Sequence, residues 1–161
     1  MSTAQDMIAN SLTSSKGLVT RYTSDLTPKE YLHRITPQAN CVAWLLGHLT
    51  LSDRRLVTML GGSPPALPDG FEKQFSRDEG CPQANEFGDT TRLLSIFEQT
   101  RDALINAARS ASNEQLDKPI DTPRPMFKTV GEMANFYSLH TAMHAGQITM
   151  IRRHLGKPPL V

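Results

Sequence analysis

The chain has 161 residues, of which 39% are hydrophobic and 20% charged, and it carries a net charge of +1 at pH 7. This length suits one domain with a sizeable core and is too short for two ordinary domains, so residues 1–161 are expected to form a single domain. The composition excludes a disordered chain, and without a basic block neither nucleic acid nor a membrane is expected as a partner.

Four segments have the apolar spacing of amphipathic helices, and no segment alternates like a strand with comparable strength. The first helix is predicted from about Thr3 to Ser24. The second is predicted to start near Asn40, a plausible N-cap, and to end at Gly61-Gly62. The residues predicted to face inward on this second helix are Cys41, Leu45, His48, Leu49, Ser52, Leu56 and Met59.

The third helix is predicted over roughly Asp89 to Ser112, and the fourth has clearer ends. The stretch from Thr129 to Glu132 fits a capping box at its start, and Gly156, followed closely by two prolines, is a firm stop. The segment between helices two and three, Gly61 to Gly88, is rich in glycine and proline and is long enough to let consecutive helices run parallel. The sequence therefore predicts an all-α four-helix bundle with a long crossover between helices two and three.

The first residues show no charged start followed by an apolar stretch, so no secretory signal is expected and the cytoplasm is the default location. The longest uncharged apolar run, Cys41 to Leu51, is too short to span a bilayer. Cys41 and Cys81 could form one disulfide, but free thiols are expected in a reducing compartment.

The informative histidines are His140 and His144, which stand four residues apart on the fourth helix. Side chains at this spacing lie one turn apart, so both imidazoles can converge on one ion. A buried imidazole needs a polar partner, and a metal would satisfy both rings together, whereas two core histidines bonded to other side chains are the alternative. The apolar stripe on which both are predicted comprises Met133, Tyr137, His140, His144, Gln147, Ile148 and Ile151.

A third inward-facing histidine, His48 on the second helix, favours the metal interpretation, because facing helices of a bundle bring such side chains together. Three imidazoles suit zinc, nickel, iron or copper better than magnesium or calcium. His33, in a polar stretch between prolines, and His154, in the last turn of the fourth helix, are predicted not to be ligands.

Two other metal motifs do not fit. Thr141 stands where the zincin motif H-E-x-x-H has its glutamate, and the sequence does not carry Glu-x-x-His pairs on two helices, as di-iron carboxylate bundles require. A site with three protein ligands keeps at least one coordination position open, which indicates a catalytic metal. Such a position can take a water or a thiol and lower its pKa.

The run from Trp44 to His48, the long crossover, and His140-Thr-Ala-Met-His144-Ala-Gly-Gln147 in the last helix resemble the DinB/YfiT superfamily over nearly the whole chain. The resemblance implies helices in up-down-down-up order, often a homodimer, and metal ligands at His48, His140 and His144. Similar members include thiol-dependent transferases and isomerases that use bacillithiol or mycothiol, and hydrolase-like relatives. The resemblance carries over no catalytic base.

The expected function is a metal-dependent enzyme of the thiol S-transferase or hydrolase type, acting on a small molecule and in the first case using a low-molecular-weight thiol. Zinc or nickel is expected, with iron or manganese as alternatives. A non-catalytic, stress-related module that binds a metal or a ligand is one alternative, and a bundle with purely structural histidines is another. The residues predicted to line a substrate pocket are Trp44, Ser52, Tyr137 and Gln147, with core packing as the alternative for the two aromatic residues.

A homodimer is expected from the resemblance and from the third helix. Leu93, Leu94, Ile96 and Phe97 form more apolar surface there than one bundle-facing stripe needs, and exposed apolar surface usually marks an interface. The alternative is that the Gly61–Gly88 crossover folds over this surface within one subunit.

Overall fold

The computed structural model describes residues 2–76, 81–120 and 126–160, and this part of the chain consists of α-helices and a short 3-10 helix (Ala84–Glu86), joined by turns and loops. The α-helices in the described ranges are, in chain order, α1 (Ala4–Thr23), α2 (Pro28–Tyr31), α3 (Val42–Met59), α4 (Phe71–Gln74), α5 (Leu93–Ser110), α6 (Asn113–Asp117) and α7 (Val130–His154). The four long helices α1, α3, α5 and α7 correspond to the four predicted ones, so the all-α prediction is confirmed.

The long helices form a bundle in which α1 and α3 each pack against both α5 and α7. α1 and α5 run antiparallel, because Lys16 Nζ lies 2.8 Å from Asp102 Oδ1 while Thr20 Oγ1 donates to Glu98 Oε1 at 2.9 Å. Residue numbers of the contacts therefore decrease along α5 as they increase along α1.

The directions of α3 and α7 complete the topology. α3 runs parallel to α5, since Asp53 pairs with Arg101 and the carbonyl of Leu60, just past the end of α3, accepts a hydrogen bond from a residue of α6, just past the end of α5. α7 runs parallel to α1, since its last turn is tied to the end of α1 by the hydrogen bond from Arg152 to the carbonyl of Tyr22. The up-down-down-up order of the four helices is confirmed.

Two helix ends differ from the prediction. α3 begins after Cys41, which is the N-cap in an extended conformation without a side-chain cap, so the prediction of Asn40 as the N-cap was wrong. At the start of α7, Thr129 Oγ1 accepts from the Glu132 amide at 3.2 Å, as predicted. The Glu132 carboxylate, however, accepts from the amide of Lys128 rather than that of Thr129, so the cap reaches one residue further back than an ordinary capping box.

The crossover folds back over α3. Phe71 and Phe75 of its α4 region are buried, and Phe75 lies so close to Gly47 that a Cβ built on this glycine would come within 2.1 Å of the Phe75 ring. A glycine inside a helix lowers its stability by about 0.5–1 kcal/mol relative to alanine, and here that cost is offset by the close approach of an aromatic ring. All residues from Cys41 to Thr50 are buried as a result, not only those of one stripe.

The crossover also covers the apolar surface of α5. Leu93 and Phe97 are buried in the same core cluster as Phe71 and Phe75, while Leu94 and Ile96 are partly buried against it. The apolar excess on α5 is therefore used within the subunit, as the alternative interpretation had it, and it does not support a dimer. No helix in the described ranges is both long and apolar enough to cross a membrane.

Candidate metal centre

The antiparallel packing of α3 and α7 brings His48, His140 and His144 together. His140 Nε2 lies 3.3 Å from His48 Nε2 and 3.0 Å from His144 Nε2. One ligand atom from each of the three residues lies within 4.8 Å of the other two. The three predicted histidines thus converge on a common point between two helices.

His140 and His144 were predicted on the buried stripe of α7, but they lie beside it. Thr141 and Ala145 occupy the stripe at 0% and 1% exposure, whereas His140 and His144, one position earlier, are half-buried. One residue corresponds to about 100° of rotation around a helix, so this offset turns both rings toward the edge of the bundle. His48 on α3 is buried, at 8% exposure. The cluster therefore lies at the margin of the core, with one buried and two half-buried rings.

The spacing of the nitrogens fits a metal. Zinc–nitrogen bonds of 2.0–2.1 Å in tetrahedral geometry place two ligand nitrogens about 3.3 Å apart, and right-angled geometry about 2.9 Å apart. The Nε2–Nε2 separations from His140 to His48 and to His144, 3.3 and 3.0 Å, fall within that range. Neutral imidazoles, moreover, present one lone pair each, which is the donor set that borderline transition metals prefer. By distance and by chemistry, His48, His140 and His144 could hold one divalent transition-metal ion.

Two side chains fix the orientation of the imidazoles. Gln147 Oε1 lies 2.8 Å from His144 Nδ1, so this nitrogen carries the proton and the lone pair of neutral His144 is left on Nε2, toward the cluster. Trp44 stacks on His48, with ring centroids 4.9 Å apart and ring planes 3° from parallel. Hydrogen bonds to the second ring nitrogen of a ligating histidine are a general feature of metal sites. Gln147 and Trp44 are therefore placed to position ligands.

The other two predicted pocket residues, Ser52 and Tyr137, lie next to the histidines. Ser52 donates from its hydroxyl to the His48 carbonyl at 2.9 Å, so this group is used within α3. Tyr137 is buried, with its ring centroid 6.0 Å from that of His140. Burial raises the pKa of Tyr137 to about 12, and the negative charge of Asp53 adds to the rise. Its phenol therefore keeps its proton at neutral pH and cannot act as a base. Contact of these residues with a substrate stays a prediction.

A buried polar network, not foreseen from the sequence, lies beside the histidines. The guanidinium of Arg101 donates to Asp53 at 2.7 and 2.9 Å, to Thr141 at 2.6 Å and to Ser15 at 3.3 Å. These four residues come from the four long helices, and Thr141 is the direct neighbour of His140. Burial raises the pKa of Asp53 to about 6, although the charge and hydrogen bonds of Arg101 act in the opposite direction. The available signal was a charged residue on the apolar stripe of each of two helices.

His33 and His154 are not among the residues whose ligand atoms converge at this cluster. They contact each other, with 2.7 Å between His33 Nε2 and His154 Nδ1 and with stacked rings. The contact joins the segment after α2 to the last turn of α7.

Comparison with known proteins places this architecture in a family. No curated protein matches the chain in sequence. The sequence model of the DinB superfamily matches residues 12–148, a range that contains all three histidines and most of each long helix. A match over this share of the chain, together with the confirmed helical bundle, establishes that the protein is a member of the DinB superfamily.

Proposed function

We propose that the protein is a metal-dependent enzyme that acts on a small molecule by thiol S-transfer or hydrolysis, with its ion held by His48, His140 and His144. The observation that carries the proposal is the convergence of the three histidines, with Nε2–Nε2 separations of 3.0 and 3.3 Å, at the edge of the bundle rather than deep in it. Structural metal sites are generally closed by four protein ligands, whereas catalytic sites use three and leave a position for water or substrate.

A divalent ion at this position would lower the pKa of a thiol or a water molecule and so supply a nucleophile at neutral pH. The residues of the chain provide the setting for that chemistry. Three neutral imidazoles add no negative charge, so the positive charge of the site remains available to the incoming group. Gln147 and Trp44 hold His144 and His48 in orientation, which keeps the ligand geometry fixed between turnovers.

Zinc or nickel fits a set of imidazole ligands best, and iron or manganese would be accommodated with lower preference. The second candidate function is a non-catalytic module that binds a metal or a ligand, which the same three histidines would also support. A purely structural role is disfavoured for His140 and His144 by their half-buried position, because rings at the edge of the core contribute less to packing than rings within it.

The test begins with elemental analysis of protein purified without a metal-binding tag. A content near one equivalent of a single transition metal supports the proposal, and a content near zero after zinc or nickel has been added contradicts it. Turnover is then measured with a low-molecular-weight thiol plus an aryl halide, and separately with an activated ester. His144→Ala is the control, because activity that does not depend on the site survives this change. Metal binding without turnover of either substrate would favour the non-catalytic module.

A further inference from the structure

The two cysteines are 40 residues apart in the sequence and in contact in the fold, and neither belongs to the histidine cluster. Cys41, the N-cap of α3, is fully buried, and Cys81, in the crossover, is half-buried. Their sulfur atoms are 3.8 Å apart, which is van der Waals contact, and neither is in a disulfide. A disulfide needs a separation of about 2.05 Å, so the sulfurs have less than 2 Å to close. A change of this size is within reach of side-chain rotation and a small shift of the crossover.

The positively charged side chain of Arg34 contacts one of the two sulfurs. Arg34 Nη2 lies 3.0 Å from Cys81 Sγ and also donates to the carbonyls of Cys81, at 3.0 Å, and Pro82. Arg34 Nη1 donates to the Pro37 carbonyl at 3.0 Å, which fixes the group in place. A positive charge and a hydrogen-bond donor at a sulfur atom stabilise its thiolate, and reactive cysteines are found in such surroundings.

The two thiols are therefore not equivalent. The hydrogen bond from Cys41 lowers the pKa of Cys81 to about 6, and Arg34 adds a smaller contribution in the same direction. The same hydrogen bond, together with burial, raises the pKa of Cys41 well above its usual range. The half-buried sulfur, which lies beside the Arg34 guanidinium, is thus the better nucleophile, and the buried sulfur is in contact with it. This is the arrangement of an attacking and a resolving cysteine.

We propose that Cys81 and Cys41 form a peroxide-reactive thiol pair, in which Cys81 is oxidised first and Cys41 then closes a disulfide between the crossover and the start of α3. In the first step the Cys81 thiolate attacks one oxygen of hydrogen peroxide; an S–O bond forms, the O–O bond breaks, and hydroxide leaves. The hydroxide takes the proton of Cys41 and becomes water. The Cys41 sulfur then attacks the Cys81 sulfur, the S–O bond breaks, and a second hydroxide leaves and is protonated by solvent. Two electrons pass from the two sulfurs to the peroxide.

The disulfide would affect the part of the molecule that covers α3. The crossover packs Phe75 against Gly47, the residue before His48. A covalent link from Cys81 to the first turn of α3 would hold the crossover in this position and restrict the unfolded chain. Oxidation would therefore stabilise the fold, and a thiol reductant would reverse the effect.

The test is mass spectrometry of the full-length protein treated with about one equivalent of hydrogen peroxide. Wild-type protein should lose about 2 Da, give a peptide that links Cys41 to Cys81, and recover its mass with dithiothreitol. Cys41→Ser should stop at a sulfenic acid that a dione reagent traps, and Cys81→Ser should remain unmodified on the same timescale. Arg34→Gln should slow the reaction with both cysteines present. The melting temperature of oxidised wild-type protein should rise on the order of 10 °C.

The idea is overturned if wild-type protein gains oxygen without losing the two hydrogens, if it forms only disulfides between molecules, or if Cys81→Ser reacts as fast as wild type. His144→Ala serves as a control, because it removes a histidine of the candidate metal centre and leaves both cysteines in place. It should form the same disulfide, so the test of the thiol pair does not depend on the proposed metal-dependent function.

Discussion

Arg101 and Asp53 form a bidentate ion pair that is completely enclosed by the four long helices. Arg101 Nε and Nη2 lie 2.7 and 2.9 Å from the two carboxylate oxygens, and both residues have 0% exposure. The guanidinium also reaches Thr141, whose neighbour His140 belongs to the histidine cluster. The pair thus sets the relative position of α3, α5 and α7 in the layer next to the candidate metal centre.

We expect the removal of one partner of this pair to be far more harmful than the removal of both. Arg101→Met should lower the free energy of unfolding by about 3–5 kcal/mol, because it leaves a buried carboxylate without its counter-charge. Asp53→Leu combined with Arg101→Met should recover most of the loss, since well-packed apolar residues replace buried ion pairs at little cost. Urea denaturation measures both changes.

The matched control is the pair between Lys16 and Asp102, in which the side chains are 22% and 57% exposed. Lys16→Met should change the free energy of unfolding by no more than about 1 kcal/mol, because solvent screens exposed pairs. A double variant of Arg101 and Asp53 that is as unstable as Arg101→Met would show that the pair contributes more than compensation of charge.

Metal content should depend on each of the three histidines. His48→Ala, His140→Ala and His144→Ala each leave two imidazoles, which hold a divalent ion weakly, so each variant should lose most of its metal after dialysis. His33→Ala and His154→Ala are the controls, because these residues contact each other and lie outside the cluster. Retention of a full equivalent by His48→Ala would mean that α3 does not supply the third ligand.

The bound metal should be released in acid. An imidazole must be neutral to coordinate a metal, and its ordinary pKa is about 6.5, so protons compete with the ion below that value. Affinity should therefore be constant above about pH 7 and fall as pH drops, with most of the ion released between about pH 6 and pH 5. A titration with a colorimetric chelator follows the release. A site that still holds its ion at pH 4 would have carboxylate or thiolate ligands instead.

Gln147 should strengthen metal binding without being a ligand. Its amide oxygen accepts from His144 Nδ1 at 2.8 Å and so presents Nε2 to the cluster. Gln147→Leu should weaken metal affinity by about 10–100-fold, the usual effect of losing such a partner. Gln147→Glu keeps an acceptor at this position and should retain most of the affinity, which competition with a chelator of known strength would reveal. Equal losses in both variants would indicate a general disturbance of α7.

A homodimer remains the expected oligomeric state, but through a different surface from that predicted on α5. On α7, Leu139, Met143 and Met150 are 56%, 58% and 57% exposed, and their spacing places them on one side of the helix. Light scattering at micromolar concentration should give about twice the chain mass of 17.8 kDa. Met143→Glu should produce monomers, whereas Met7→Glu, at a 61% exposed position on α1, should not. A wild-type mass near that of one chain would exclude the dimer.

The sequence alone was sufficient for the four long helices and for the histidines that meet. Helical periodicity and end signals such as Thr129 and Gly156 are local properties, because they depend on backbone conformation and side chains within a few residues. His140 and His144 are four residues apart, and this spacing alone places both on the same side of α7. For His48 to join them as the third histidine of the cluster, α3 and α7 then had only to be neighbours.

Only the tertiary structure decided which way charged and sulfur-bearing side chains face and what covers each surface. Burial of the Arg101–Asp53 pair depends on the neutralisation of one charge by another 48 residues away in the sequence, on a different helix. Helix propensity carries no information about such a pairing. The contact of Cys41 with Cys81 depends on the path of the crossover, which also turns the apolar side of α5 into core. The shift of His140 and His144 to the edge of the core follows from the way α7 is rotated against its neighbours, a rotation set by the packing of all four helices together.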